Sequence, residues 1–313
     1  MKYIEYINGL IKTEVLKTDN CVLFGQNINA GSCLGGLTKN IKVNASSLIF
    51  NSTNAENSLV GFGFGLMMNG ASGVFLMKQL DFLLLGIDHL VNTFNIIRSL
   101  KDKYSDSGSF TIVATVVDSG FDGPQSSFNN LYDICSIGRI NGFTITNKVD
   151  ADYIFSNQFL KPGFRIVALS QRLSKEEINE TAVPIKIIGN GDIFQYKEGS
   201  DVTIVSFNFS AEQAANLVNF LAQNEIKASH FHVNATTSSD WTIIIKDVNR
   251  TKKIIVIDDS KSLQTTGDYL LAELCGIAID KKIVIKRKLE ENWLYPVSDI
   301  FEIDENWVLN QIH

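Results

Sequence analysis

No charged residue stands between Glu56 and Lys78, and this stretch constrains the fold more than any other part of the chain. It is long enough to cross a bilayer, and Gly61 and Gly65 even form a Gly-x-x-x-Gly pair. Its middle, however, reads Asn69-Gly-Ala-Ser-Gly73, a turn signal. Divided there, the stretch predicts a helix over Glu56–Met68 and a strand over Gly73–Met77. Neither piece carries a polar face, so both must be covered by other layers. That favours a fold in which helices and strands pack on each other over a membrane span.

The rest of the chain repeats the alternation. Strands are expected at Cys21–Gly25, Ser47–Phe50, Phe110–Val117, Gly142–Thr146 and Phe164–Leu169. Helices are expected at Asp81–Lys103, Phe128–Ile137 and Ala151–Phe159. Such an order predicts βαβ units, hence an α/β fold with a parallel sheet and helices on both faces. The segment from Pro184 to Ser200 is polar and turn-rich at its end and reads as a connection to a second, smaller α/β domain. There the alternation restarts with strands Val202–Phe207, Ala228–Val233, Trp241–Ile245, Lys253–Ile257 and Ile283–Arg287, and helices Ala211–Asn224 and Asp268–Ile279. Ala214, Leu217, Val218 and Leu221 form the apolar stripe of a helix lying on a sheet. The expected domains are 1–186 and 187–313, and 313 residues with 45% hydrophobic content suffice for two ordinary cores.

A net charge of −6, with basic runs limited to Lys281-Lys282 and Lys286 to Lys288, argues against a nucleic-acid partner. Cys21, Cys33, Cys135 and Cys275 are far apart, which reads as free thiols in a reducing compartment. The first residues lack the long apolar run of a signal peptide, so a cytoplasmic location is expected. His230-Phe-His232 puts two imidazoles on one strand face. Two ligands are too few for a structural zinc site, so a solvated face and no metal are expected there.

Three features single out a site. Thr53-x-x-Glu56 has the form of a capping box. Gly61, Gly63 and Gly65 weaken one helix by about 1 kcal/mol each relative to Ala, which suggests a compensating close approach by another backbone or a ligand. Phe82 opens the next helical segment; a ring there is core packing or a platform for a flat heterocycle.

Together, Thr53–Val91 resembles the pyrimidine-binding domain of thiamine diphosphate enzymes. It is similar to the β subunit of the first component of 2-oxoacid dehydrogenases and to the C-terminal half of transketolase. The resemblance extends over most of the chain. It implies a pyrimidine-binding domain followed by a transketolase C-terminal-like domain, with thiamine diphosphate as cofactor. In those families a Glu at the start of the glycine-containing helix hydrogen-bonds the aminopyrimidine and favours its imino form, which removes the thiazolium proton. The matching residue is Glu56, with Asn54 and Ala55 lining the same pocket and Phe82 beside the pyrimidine. An apolar pocket would raise the Glu pKa, while the helix N-terminus opposes that shift.

The departures are as informative. Phe24-Gly25-Gln26-Asn27 has Gln26 where the relatives carry an acidic residue, and Ser126 stands where they carry a His, in Asp122-Gly123-Pro124-Gln125-Ser126. The cofactor-activating half of the site is retained and the substrate side is rewritten. A Gly-Asp-Gly motif followed by Asn, which in these families holds magnesium and diphosphate, is missing from this sequence. The resemblance therefore implies a split enzyme whose α-type partner supplies that half, in a homodimer or α2β2 heterotetramer.

Residues 56–92 lean to the dehydrogenase side, while Phe110–Val116 and Asp122-Gly-Pro lean to transketolase or deoxyxylulose phosphate synthase. The reading favoured is transketolase-like ketol or acyl transfer, making or breaking a bond next to a carbonyl. The alternatives are the β subunit of a 2-oxoacid dehydrogenase and a degenerate subunit that only assembles with, or regulates, a catalytic partner.

Overall fold

A computed structural model describes residues 1–100, 108–119, 123, 126–237, 240–287 and 301–312. It contains two six-stranded sheets in an α/β arrangement. The first comprises β1 (Cys21–Gly25), β2 (Leu48–Asn51), β3 (Ser72–Met77), β4 (Ser109–Val116), β5 (Asn141–Ile145) and β6 (Gly163–Ser170). Its order is β2-β1-β3-β4-β6-β5, and every pairing is parallel.

Alternate strand residues feed two cores, one on each face. Leu23, Val74, Leu76, Val113 and Val167 meet α1 (Tyr3–Lys17) and α5 (Lys148–Asn157). Phe24, Phe75, Phe110, Ile112 and Ile166 meet α2 (Glu56–Met68) and α4 (Leu131–Gly138). A sheet buried on both faces explains strands that read as continuous apolar runs. Helix α1 was not anticipated, although Tyr3, Ile7, Ile11 and Val15 mark its buried face at four-residue spacing.

The long helix expected over Asp81–Lys103 is broken. A 3-10 turn covers Leu80–Gly86, a π turn covers His89–Thr93, and α3 covers only Phe94–Ser99; residues 101–103 lie outside the described ones. At Gly86 the chain passes so near α2 that a Cβ would meet Val60 Cγ2 at 2.6 Å.

The second sheet has the order β12-β11-β9-β10-β8-β7. Its strands are β7 (Lys186–Ile188), β8 (Ile193–Lys197), β9 (Val202–Phe207), β10 (Ala228–Val233), β11 (Lys253–Asp258) and β12 (Lys281–Lys286). Strands β7 and β8 lie within the segment expected to be a plain connection; they pair antiparallel and extend the sheet beyond β10. Helices α6 (Ala211–Gln223) and α9 (Glu305–Ile312) cover one face, and α7 (Thr242–Thr251) and α8 (Thr266–Glu273) the other.

Helix α7 replaces the strand expected at Trp241–Ile245. Its β-branched run favours a strand only weakly. As a helix it buries Ile244 and Val248, one turn apart, against β9 and β11. Helix α8 ends at Glu273, short of the expected Ile279.

The two sheets are stitched together through β5. Thr144 N donates to Asn234 O at 3.0 Å, and Asn234 Nδ2 returns a bond to Thr144 O at 2.7 Å. Asp150 accepts from Thr146, Asn147 and Asn234, while burial pushes its carboxyl up to about 6. No single helix among the described residues is long and apolar enough to cross a membrane. Cys21, Cys33, Cys135 and Cys275 are free thiols.

Candidate functional site

In open α/β sheets, ligands gather beyond the carboxyl ends of parallel strands. Here β2, β1, β3 and β4 are neighbours, and the segments leaving their carboxyl ends carry Glu56, Gln26, Phe82 and Ser126 in turn. Residues scattered over a hundred positions of sequence thus come to one edge of one sheet.

Glu56 is the first residue of α2. The N-cap is Ala55, which offers no side-chain cap, so the capping box expected from Thr53 does not form. The Glu56 carboxylate is half-buried and makes no hydrogen bond or ion pair among the described residues. Asn54 is exposed and Ala55 half-buried. Phe82 is half-buried in the 3-10 turn, packed on the core cluster of Phe64 and Phe75. This turn lies against α2: a Cβ at Gly86 would be 3.5 Å from the Glu56 carbonyl oxygen.

The glycines of α2 have separate explanations. A Cβ at Gly63 would meet the Phe110 ring at 2.2 Å, and one at Gly61 would meet His89 Nε2 at 3.0 Å. Side chains, rather than a backbone, make both approaches. Gly65 has nothing within 4 Å and faces open space.

Gln26 is exposed in the turn after β1. Gly25 before it is obligatory, because a Cβ there would lie 2.2 Å from Leu76 O and φ is +154°. Ser126 Oγ donates to Gln79 Oε1 at 2.7 Å. Asp122, Pro124 and Gln125 of the same motif lie outside the described residues.

Two residues that the sequence reading passed over organise this corner. Asp81 Oδ1 accepts from the amides of Ser127 at 3.0 Å and Phe128 at 3.2 Å, holding the segment after β4 against the 3-10 turn. Its Oδ2 is buried without a hydrogen-bond partner among the described residues. Burial pushes this carboxyl upward, and the two amides oppose that shift. Gln79 anchors Ser126. Their only signal in the sequence was their place beside Phe82 in Lys78-Gln-Leu-Asp-Phe82.

The histidine pair belongs elsewhere and corrects an expectation. His230 and His232 lie on β10, inside the second sheet, and are buried rather than solvated. Among the described residues no group of three or more His, Cys, Asp or Glu side chains could hold a metal ion.

Fold and sequence together put the chain in the superfamily of thiamine diphosphate-dependent enzymes, with the β-type subunits and the transketolase C-terminal half. It is 20% identical over 323 residues to the pyruvate dehydrogenase E1 component subunit beta of Staphylococcus aureus, covering 99% of this chain and 95% of that protein. The same subunit of Staphylococcus epidermidis is 20% identical over 320 residues, with the same coverage. A solved structure described as a split gene transketolase, inactive beta4 tetramer, matches with a TM-score of 0.64 at 15% identity, over 98% of this chain and 92% of that one. No family model matches the chain.

Proposed function

We propose that the chain is the β-type subunit of a split thiamine diphosphate enzyme that makes or breaks a carbon–carbon bond next to a carbonyl, in the manner of transketolase. Residues 1–186 would be its pyrimidine-binding domain and 187–313 its transketolase C-terminal-like domain, working in the cytoplasm. The observation that carries the reading is Glu56: a half-buried carboxylate, unbonded among the described residues, on the strand-end edge that also bears Phe82. A carboxylate without a partner among the described residues, on the same edge as an aromatic ring, fits a flat aminopyrimidine.

When bound, thiamine diphosphate supplies a carbon nucleophile for a carbonyl substrate. In this proposal Glu56 holds a proton at a pyrimidine ring nitrogen, and Phe82 packs beside that ring, with Asn54 and Ala55 completing the wall. Gln26 and Ser126 line the substrate side. Magnesium and the diphosphate fall to an α-type partner. Exposed apolar surface supports such an assembly, a homodimer joined by two partner chains. Phe62 and Phe50, 42% and 38% exposed, extend the ring cluster around buried Phe24 to the surface beside α2.

The test is calorimetry with thiamine diphosphate and magnesium, on the chain alone and co-expressed with an α-type chain that carries Gly-Asp-Gly and a downstream Asn. Binding is expected only in the complex. A one-to-one micromolar isotherm for the chain alone would overturn the split assignment. A second reading, the β subunit of a 2-oxoacid dehydrogenase, is favoured by whole-length similarity to chains of that name. Rates with a lipoyl acceptor against an aldose phosphate acceptor separate the two.

A further inference from the structure

A cavity of about 690 Å³ lies between the segment joining the two sheets, β8, β10 and one side of α6. It shares no lining residue with the strand-end site. Volumes of this size accept a small metabolite.

His230, 3% exposed, is part of the lining, and its tautomer follows from its neighbours. Ser206 Oγ sits between the two imidazoles, 3.0 Å from His230 Nε2 and 2.9 Å from His232 Nδ1. Burial keeps both rings neutral, lowering His230 to about 4 and His232 to about 3. His232 Nε2 is buried with no partner among the described residues. A proton there would be an orphaned donor, so it belongs on Nδ1 and is given to Ser206. The Ser206 hydroxyl then donates to His230 Nε2 at 3.0 Å, the nearer acceptor, since Phe231 O is 3.5 Å away. That leaves the His230 proton on Nδ1, which has no partner among the described residues and lies on a ring lining the cavity.

Two more donors line the same cavity. Tyr196 accepts from Asn147 Nδ2 at 2.8 Å, so its own hydroxyl proton is free to be given. Lys197 makes no ion pair among the described residues, whereas the carboxylates of the lining are answered: Glu212 by Arg172 at 3.4 Å and Glu177 by the N-terminal amine. Glu176 is exposed. Leu173, Phe209, Ala211, Ala215 and Val218 supply its apolar lining.

We propose that this cavity binds a small amphipathic organic anion, its carboxylate or phosphate head taken by His230, Tyr196 and Lys197 and its apolar body laid along α6. A ligand there would touch the second sheet, the residues that follow β5 and β6, and the segment between the sheets, so its binding would stiffen their junction.

The experiment follows the His230 ring nitrogens by ¹⁵N NMR in the full chain. Hexanoate, hexanol and inorganic phosphate serve as probes for head plus tail, tail alone and head alone. The free protein should show the Nδ1–H tautomer of His230. Hexanoate should shift Nδ1 saturably and bind more tightly than either other probe. Lys197→Met should weaken it by about tenfold or more, the size of a lost charged hydrogen bond, with Tyr196→Phe weakening it less. An Nε2–H tautomer, hexanol binding as tightly as hexanoate, phosphate shifting Nδ1 where hexanoate does not, or a Lys197→Met variant with unchanged affinity would each overturn the proposal.

Discussion

Gly63→Ala and Gly65→Ala form a matched pair, because the same chemical change meets opposite surroundings two residues apart in α2. Each replacement should gain about 1 kcal/mol of helix propensity. At Gly63 the new methyl would stand 2.2 Å from Phe110 Cε2 and Cζ. Phe110 is fully buried, with ring centroids 5.2 Å from Phe64 and 5.0 Å from Phe164, and has no room to retreat. Overpacking of this kind costs about 1–3 kcal/mol. At Gly65 nothing lies within 4 Å, so the propensity gain should survive whole. Subtracting one variant from the other cancels propensity and isolates packing. Gly63→Ala should therefore be less stable than Gly65→Ala by about 1–3 kcal/mol. Urea unfolding of the purified chain, followed by circular dichroism, measures the difference at equal m-values. Equal stabilities, or a Gly63→Ala chain more stable than wild type by the full propensity increment, would refute the account of α2 packed hard on β4. Because the helix begins at Glu56, a shift forced by Gly63→Ala would also move the carboxylate.

Further outcomes follow from the same contacts. Glu56→Gln should leave folding within about 0.5 kcal/mol of wild type, since the carboxylate bonds nothing among the described residues. In the loaded partner complex it should cut turnover at least about a hundredfold; an unchanged rate removes Glu56 from the mechanism. Asp81→Ala should speed hydrogen exchange of the Ser127 and Phe128 amides about tenfold or more while β4 stays protected; unaltered protection would mean Asp81 does not hold that segment. The buried histidines have folded pKa values depressed below 6.5, so their contribution is complete above pH 6.5 and is lost as pH falls toward 4. Asp150, raised to about 6, acts in the opposite sense, its contribution fading as pH rises from 3.8 to 6. His232→Gln should therefore flatten the acid limb of a pH–stability curve measured by urea titration; an unchanged limb would show that the pair does not control it.

The elements that read correctly were those whose local pattern and tertiary surroundings agree. Glu56–Met68, Val202–Phe207 and Ala228–Val233 have the expected limits, because apolar runs between turn signals leave one way to be buried. Among the candidate site residues, Glu56 was singled out by the resemblance of Thr53–Val91 to a known family, and it stands at the expected helix start. Asp81 was not, since nothing in a sequence says that a carboxylate will meet two amides more than forty residues away. The apparent capping box at Thr53 shows the converse: a local motif that the path of the chain into α2 leaves unused.

The sequence by itself determined the α/β order, the split of the uncharged stretch into helix and strand, and the residue types left free for chemistry, because turn signals and apolar periodicity act within a few residues. Only the tertiary structure decided what covers each face. It turned Trp241–Ile245 into the start of a helix and broke the segment after Phe82 where Gly86 meets Val60. It recruited the Lys186–Lys197 hairpin to the second sheet and buried the His230–His232 pair around Ser206. It also brought Gln26, Glu56, Phe82 and Ser126 to one edge, since parallel pairing of β1 to β4 sets their carboxyl ends side by side however far apart they lie in the chain.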